Sequence, residues 1–572
     1  MGLLDTSLQI GRSSIMAHQL AMDVVGNNLA NASTEGYARQ TTDLRSAIGI
    51  RTMEGPYLGL GVNAESIQRL SDAYLEQRLR NARSDSEALK TQSDMFQQLE
   101  GTFNELSDSD LSTQINDFFS ALSTLQGNPE EMSVRRSVVE SAAMLTDSIR
   151  TLRTKIDELR TGLNAEITDA VSTVNSLTTE IAQLNVEISR IEAGGTETGG
   201  ANALRDRRDL LLGQLSDLVA TRVVETDNGM VNVFAGADPL VMGSRSYDLA
   251  TEASTDDGLP IANVVFAADG RPLDAKGGKI QGLIDARDKD IVEFVDQLDT
   301  WTAAFIDGFN RIHSSGQGLD LYASIAGTNG VTDTAAALNA AGLAFEPETG
   351  TFEITVENTT SGDKKTFRIH VDLSATASDT TLTSLVADIN AAIGAQYPQV
   401  RATIGAGNTL RIASSAPEIQ FSFGNDTSGA LSALGVNTFF IGHDSSDIAL
   451  NPIIEDNPGL IAAAKTDMPG DNSNIADLLA FQRQSSDALG GSSIDTFYQG
   501  IIATLGIRSA AAQDRYTGSQ AIESAIQSQR ESISGVSIDE ETVNLIRYQS
   551  GYQAAARFIS TVNDLIQVLL KM

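Results

Sequence analysis

The run LTDSIRTLRTKIDELRTGLNAEITDAVSTVNSLTTEIAQLNVEISRI, residues 145–191, carries one apolar line along its whole length. That line is Leu145, Ile149, Leu152, Ile156, Leu159, Leu163, Ile167, Ala170, Val174, Leu177, Ile181, Leu184, Ile188 and Ile191. Its steps alternate three and four, as in a helix buried along a heptad seam. Leu159, Leu163 and Ile167 make two successive steps of four beside Gly162, a stutter that relaxes the supercoil locally. At about 1.5 Å per residue such a helix approaches about 80 Å. One stripe cannot bury itself, so the helix needs partners along its length.

Flanking segments offer them. Leu75, Leu79, Leu89, Phe96, Leu99, Phe103 and Leu106 predict a helix from Asp72. Ser107 to Asp110 end it and cap the next, which carries Leu111, Ile115, Phe118, Leu122 and Leu125 and stops at Gly127. Asn128, Pro129 and Glu131 read as N-cap, N1 and N3 of the long helix. After Gly194 to Gly200, a helix over Leu204–Val219 returns. Val223-Val224, Asp227-Asn228-Gly229 and Val231-Asn232-Val233 then form the pattern of a β-hairpin. Helix resumes from Ile280 to Ile312, and Asp471 to Ser532 is read as helical again. Between about 318 and 456 period-two runs such as Phe352-Glu353-Ile354-Thr355-Val356 mark a compact α+β insert.

Both ends are amphipathic. Leu4, Leu8, Ile15, Met22 and Leu29 fall on one stripe of an N-terminal helix. Leu545, Tyr548, Tyr552, Ala555, Ile559, Val562, Ile566 and Leu569 step three and four to the end of the sequence. The fold class is therefore multidomain α+β. The N- and C-terminal coiled-coil helices pair, a long helical bundle follows, and β-rich domains are inserted in the middle. The expected domains are 1–35 with 537–572 as a terminal coiled coil, and 36–221 with 280–318 and 470–536 as a helical rod-like domain. Residues 222–279 form a β-rich domain and 319–469 a variable α+β insert.

Composition removes many functions. The 572 residues include no Cys, four His and one Trp, which excludes disulfide scaffolds, thiolate metal sites and Cys nucleophiles. With 40 Lys+Arg against 75 Asp+Glu the net charge is −35, which opposes binding to nucleic acid and to anionic membranes. No run of about 18 apolar residues spans a bilayer. The N-terminus lacks the basic and apolar regions of a cleavable secretory signal. No P-loop, H-E-x-x-H or G-x-S-x-G pattern occurs, and no catalytic residue, metal ligand or cofactor is expected. Asp471-Asn472-Ser473-Asn474 reads as a helix N-cap region rather than a calcium loop, and Asp539-Glu540-Glu541 as first-turn acids opposite a helix dipole.

Asn27-Asn28-Leu29-Ala30-Asn31-Ala32-Ser33-Thr34-Glu35-Gly36-Tyr37-Ala38-Arg39-Gln40 resembles the N-terminal signature of bacterial flagellar axial proteins. Ser534 to Glu541 with Tyr548-Gln549 and Tyr552-Gln553-Ala554 resembles the end of the FlgK family, whose members form the hook–filament junction. Leu204 to Leu211, a shifted variant of the family's L-D-x-R-D, agrees, as do Gly277-Gly278-Lys279-Ile280 and Gly470 to Asn474. The resemblance implies a non-enzymatic structural protein, exported through the flagellar type III channel without a cleaved signal and assembled extracellularly at the hook tip. It implies as partners further copies of the chain, the hook protein, the next hook-associated protein or flagellin, and an export chaperone on the C-terminal helix. It places the N-terminal assembly interface on Leu4, Leu8, Ile15, Met22, Leu29, Asn27, Asn28, Asn31, Gly36 and Tyr37. The C-terminal seam from Leu545 to Leu569 becomes the other interface and the chaperone site. Another axial component, or a secreted adhesin using the insert, is the alternative.

Overall fold

The computed structural model describes residues 2–51, 57–103, 110–193, 199–374 and 379–571. Its contacts divide the chain into two compact units. The terminal unit holds Met1–Met95, Thr161–Asp288 and Ala510–Met572, and the central unit holds Phe96–Arg160 and Lys289–Ser509.

The long helix spans Met132–Glu192. It starts later than its cap signal predicts because Asn128 is used to close the preceding helix Leu111–Gly127, its N–H donating to Leu125 O. The buried line runs through Leu145, Ile149, Leu152, Ile156, Arg160, Leu163, Ile167, Ala170, Val174, Thr178, Ile181, Asn185 and Ile188. Leu159 and Leu177 are half-buried beside it, and Ile191 is exposed. Two successive steps of four occur at Arg160 and again at Thr178, so the line follows the undistorted helical period and not a strict heptad.

In the terminal unit three asparagines fasten β-structure to residues 161–192 of this helix. Asn164 pairs with Pro260 O and Ala262 N at 2.5 and 3.0 Å. Asn175 bonds both backbone groups of Leu249 at 2.8 Å. Asn185 does the same for Val231 at 2.8 and 3.0 Å. Each side-chain amide imitates a neighbouring strand, satisfying edge backbone groups that burial leaves without water. The expected Asn228-Gly229 hairpin joins strands Thr221–Glu225 and Val231–Ala235, with Val223 opposite Val233, and opens a four-stranded sheet. Leu75, Leu79 and Ala82 of helix Ala73–Phe103 pack on Ile526 of helix Ile494–Ser534.

The central unit is built on helix Ile291–Ser314. Its fully buried Trp301, Phe305 and Phe309 meet Phe118, Phe440 and Tyr498 at ring separations of 5.1–6.3 Å. Trp301 Nε1 donates to Ile494 O at 2.9 Å, so the indole's one polar group is satisfied. The insert holds a sheet of Lys364–Val371, Gly350–Asn358 and Ile419–Gly424, in that order, and helix Leu382–Gly394 packs on its edge strand Lys364–Val371 and on strand Val400–Ile404 of a second sheet. The stretch read as helix from Asp471 to Ser532 is in fact two helices, Ser473–Phe481 and Ile494–Ser534. Gly490 and Gly491, both at positive φ, turn the chain between them. Leu106 and Ser107–Ser109 lie outside the described residues.

His313 is wholly buried in this unit. Its Nε2 accepts from Ala462 N at 3.0 Å, so the proton sits on Nδ1, which donates to Asn437 O at 2.8 Å. Burial pushes its pKa down from 6.5 to about 4. A base depressed in the folded state stabilises fully above the unfolded value and loses that contribution as pH falls from 6.5 towards 4. The difference corresponds to roughly 3 kcal/mol. Melting followed from pH 7 to pH 4 should show a steeper loss for the wild-type chain than for His313→Gln, which has no charge to acquire. Equal slopes would refute the linkage.

Candidate functional site: the paired chain ends

The N-terminal helix, Gly2–Ala30, and the C-terminal helix, Ile538–Lys571, pack together antiparallel within the terminal unit. Small residues set their separation. A Cβ on Gly11 would stand 2.5 Å from Ile559 Cγ1, and a Cβ on Gly551 2.6 Å from His18 Nε2. The His18 and Tyr548 rings lie 6.2 Å apart. The closest approaches on the N-terminal helix therefore follow Gly11, His18 and Asn28, with Ala21 and Val25 buried between them.

Each residue expected at the interface has a definite place. Leu4, Leu8, Ile15, Met22, Asn31, Gly36 and Tyr37 are half-buried, whereas Asn27 and Leu29 are exposed. On the C-terminal helix Ala555 and Val562 are buried, and Leu545, Tyr548, Tyr552, Ile559 and Ile566 are half-buried. The side chain of Leu569 lies outside the described residues. The far side of that helix exposes Val543, Ile546, Phe558, Leu565 and Val568.

The two ends are locked by a polar clasp. Asn28 is 1% exposed and makes four hydrogen bonds. Its Nδ2 donates to Gln40 O at 2.8 Å and Glu541 Oε2 at 2.9 Å. Its Oδ1 accepts from Tyr37 OH at 2.8 Å and Gln40 N at 3.0 Å. Glu541, equally buried, also takes Arg39 Nε at 2.9 Å and Nη2 at 2.7 Å, while Arg39 Nη1 reaches Glu540 at 2.8 Å. Arg39 N donates to Ser534 O at 2.9 Å. Burial opposes the Arg39 charge, but Glu541 and Glu540 more than offset it and raise its pKa. Burial, then Asp206 and Glu541, push Tyr37 up to about 12, which keeps its hydroxyl a donor.

A second layer supports the first. Ala38 N donates to Asp206 Oδ1 at 3.4 Å, and Arg69 bridges Asp206 at 2.8 Å and Asp209 at 2.5 Å. Burial raises Asp206 to about 6, against the pull of Arg69. Gly36 lies so near helix Asn202–Leu218 that a Cβ would approach Leu210 Cβ to 3.2 Å. Asn31 Nδ2 bonds Asn27 O and Oδ1 at 3.0 and 2.9 Å, finishing the N-terminal helix. The signature thus folds as a turn whose side chains hold both chain ends and the returning helix.

In the sequence Arg39, Asp206 and Asp209 carry no assigned role and Glu541 reads as a first-turn acid opposite a helix dipole, whereas the structure buries it against Asn28 and Arg39. Charge complementarity between Arg39 and the triplet Asp539-Glu540-Glu541 was the available signal, and a sequence does not say that residues 502 apart meet. Among the described residues no group of three or more His, Cys, Asp or Glu is placed to hold a metal ion, and no helix is long and apolar enough to cross a membrane.

Comparison with known proteins agrees with this arrangement. Residues 96–329 match the FlgK flagellar hook-associated protein helical domain, residues 8–37 the flagella basal body rod protein family, and residues 527–572 the flagellar basal body rod FlgEFG C-terminal family. Flagellar hook-associated protein 1 of Salmonella typhimurium is 27% identical over 98% of both chains. That of Escherichia coli K12 is 26% identical over the same shares. Over nearly its whole length the chain is similar to flagellar hook-associated protein 1, the FlgK protein. A solved structure of the flagellar hook junction protein FlgK from Burkholderia pseudomallei has a similar fold. It is 17% identical, with a TM-score of 0.52, over 80% of this chain and all of that one. The matches at 8–37 and 527–572 take in Asn28, Tyr37, Glu540 and Glu541 of the clasp, while Arg39 and Gln40 lie just beyond the first of them.

Proposed function

We infer that this chain is a structural component of the bacterial flagellum that joins hook to filament. The observation that carries the reading is the clasped pair of chain ends, formed from two segments that match axial-protein families and presenting apolar groups outward. Val543 and Ile546 near the start of the C-terminal helix, and Phe558, Leu565 and Val568 nearer its end, leave two exposed apolar groups on that one helix. In this reading neighbouring copies cover those groups in the junction, and an export chaperone covers them beforehand. The seam residues from Leu545 to Ile566 and the signature residues around Asn28 and Tyr37 form the assembly element.

The hook protein below and the next hook-associated protein or flagellin above complete the set of partners, and the location is extracellular, within the flagellum. Export through the flagellar type III channel would require an unfolded chain, which the absence of Cys suits because no thiol can cross-link in transit. No enzymatic step belongs to this role. Residues 1–35 with 537–572 act as the terminal coiled coil, residues 36–221 with 280–318 and 470–536 as the helical rod-like domain, and residues 222–279 and 319–469 as the β-rich and insert domains.

Deletion of the gene in its host tests the reading. Intact hooks without filaments, with flagellin lost to the medium, are expected. Normal filaments on the deletion strain would overturn it.

A further inference from the structure

A cavity of about 580 Å³ opens in the terminal unit beside the clasp. Its walls come from the signature turn Asn31–Tyr37, helices Ala73–Phe103, Asn202–Leu218 and Ile494–Ser534, and the link Gly535–Ser537 that enters the C-terminal helix. Four arginines line it, and three are committed. Arg39 holds Glu540 and Glu541. Arg83 makes a two-pronged pair with Asp217 at 2.8 and 2.7 Å. Arg530 meets Glu76 at 3.0 Å.

Arg80 is the fourth, and it differs. It is 8% exposed, its Nε is buried with no hydrogen-bond partner, and its Nη2 has only the neutral Gln77 Oε1 at 3.2 Å. Among the described residues no carboxylate lies within ion-pair distance of it. The nearby acids are engaged elsewhere: Glu76 by Arg530 and Asp209 by Arg69. Burial accordingly pushes the Arg80 pKa below its usual value. A buried guanidinium with no bonded carboxylate is costly even with Asp209 and Glu76 acting on it from farther off, and a carboxylate brought to it would offset that cost.

We propose that this cavity receives a carboxylate side chain from a second copy of the chain, held by the Arg80 guanidinium, as the chains assemble. The guanidinium fork matches a planar carboxylate, and pairing there in a partly desolvated cavity is stronger than on an open surface. A second copy is the occupant because the cavity lies between the two segments that lead into the paired terminal helices, where like chains meet if the junction reading holds. Such a neighbour carries 75 acidic residues against 40 basic ones, so a carboxylate is the group it most readily offers. The volume accommodates one side chain and a few residues of backbone around it. Glu35 and Glu531 stand exposed at the rim, where solvent and salt screen them.

The proposal rests on the junction reading, and Arg80→Gln separates the two. Removing an uncompensated buried charge should leave the melting temperature of the purified full-length monomer unchanged or raised, while incorporation into junctions falls at least tenfold in cells. A purely structural Arg80 gives the opposite, a destabilised monomer, and that result overturns the proposal. Wild-type assembly of Arg80→Gln also overturns it, leaving the deletion phenotype and the junction reading standing. The second measurement needs no Arg80 variant. The chain has no Cys, so Thr34→Cys on the exposed rim carries a photo-crosslinker at a unique position. In isolated hook–filament junctions the crosslinked peptide should come from a second copy and contain Asp or Glu. A peptide from the hook protein or flagellin, one without Asp or Glu, or no intermolecular product would each overturn the assignment.

Discussion

Asn28→Leu should release the chain ends from each other and abolish junction assembly. Leucine keeps the heavy-atom count and branching of asparagine but is bulkier, so the loss of hydrogen bonds is joined by some overpacking at this buried site. Four partners are stranded: Gln40 O, Gln40 N–H, Tyr37 OH and Glu541 Oε2. Leaving a buried neutral group unsatisfied costs roughly 1–3 kcal/mol and a charged one more, which for this set amounts to about 4 kcal/mol or above. The remaining tie at this end is Arg39, through Glu540, Glu541 and Ser534 O, which leaves the buried contact between the two helices themselves without a polar partner. Asn28→Asp keeps the acceptor for Gln40 N and Tyr37 OH but sets a second carboxylate about 2.9 Å from Glu541 Oε2. Like charges at that distance force one group to hold a proton. The Asp variant should therefore pair its ends at pH 5 better than at pH 8, whereas the Leu variant is impaired at both. Amide exchange of the first turns of helix Ile538–Lys571 measures this directly. The central unit, with its aromatic core around Trp301, should melt as in the wild type. Full protection of those turns in Asn28→Leu would remove the clasp from the assembly element.

Much of this arrangement is visible in the sequence where one periodicity dominates. The long helix, the hairpin at Asn228-Gly229, the helix through Leu382, Leu385, Ile389 and Ile393, and the seam of the C-terminal helix all follow from spacing alone. Polar residues that replace apolar ones in a seam are harder to see. Arg160, Thr178 and Asn185 occupy buried positions on the long helix next to Leu159, Leu177 and Leu184; Asn185 is held there by Val231, distant in sequence, and Thr178 by Asn175 O on its own helix. The same holds for Asn164 and Asn175, which read as surface residues until strands are known to lie against them. The N-terminal helix is a related case. Its large side chains define the stripe that hydropathy finds, but Gly11, Ala21 and Asn28 make the close contacts, and small residues carry almost no hydrophobic signal. The clasp combines both difficulties, being polar and built across nearly the full chain.

Gly278→Ala should damage the terminal unit more than most single-atom additions do. Gly278 opens helix Gly278–Asp285 with φ +75, and a Cβ there would stand 2.5 Å from Leu218 C and Val219 N. Both atoms are backbone at the end of helix Asn202–Leu218, so neither can turn aside as a side chain would. Relief requires moving the buried Val219, and with it the helix that presents Asp206 and Asp209 to the signature turn. Two costs combine: left-handed backbone in a residue with a Cβ, roughly 1–2 kcal/mol, and overpacking, typically about 1–3 kcal/mol. Gly258→Ala separates them. Gly258 has φ +77 with nothing within 4 Å of its virtual Cβ, so it bears the backbone cost alone. Unfolding of the two variants by denaturant should place Gly278→Ala at about 3 kcal/mol or more and Gly258→Ala near 1–2 kcal/mol. Since the clasp draws its second layer from the displaced helix, Gly278→Ala should also lose protection at Arg39 and the start of the C-terminal helix, which Gly258→Ala retains. Equal destabilisation by the two would show that the helix ends part without cost, and that Gly278 serves only its backbone conformation.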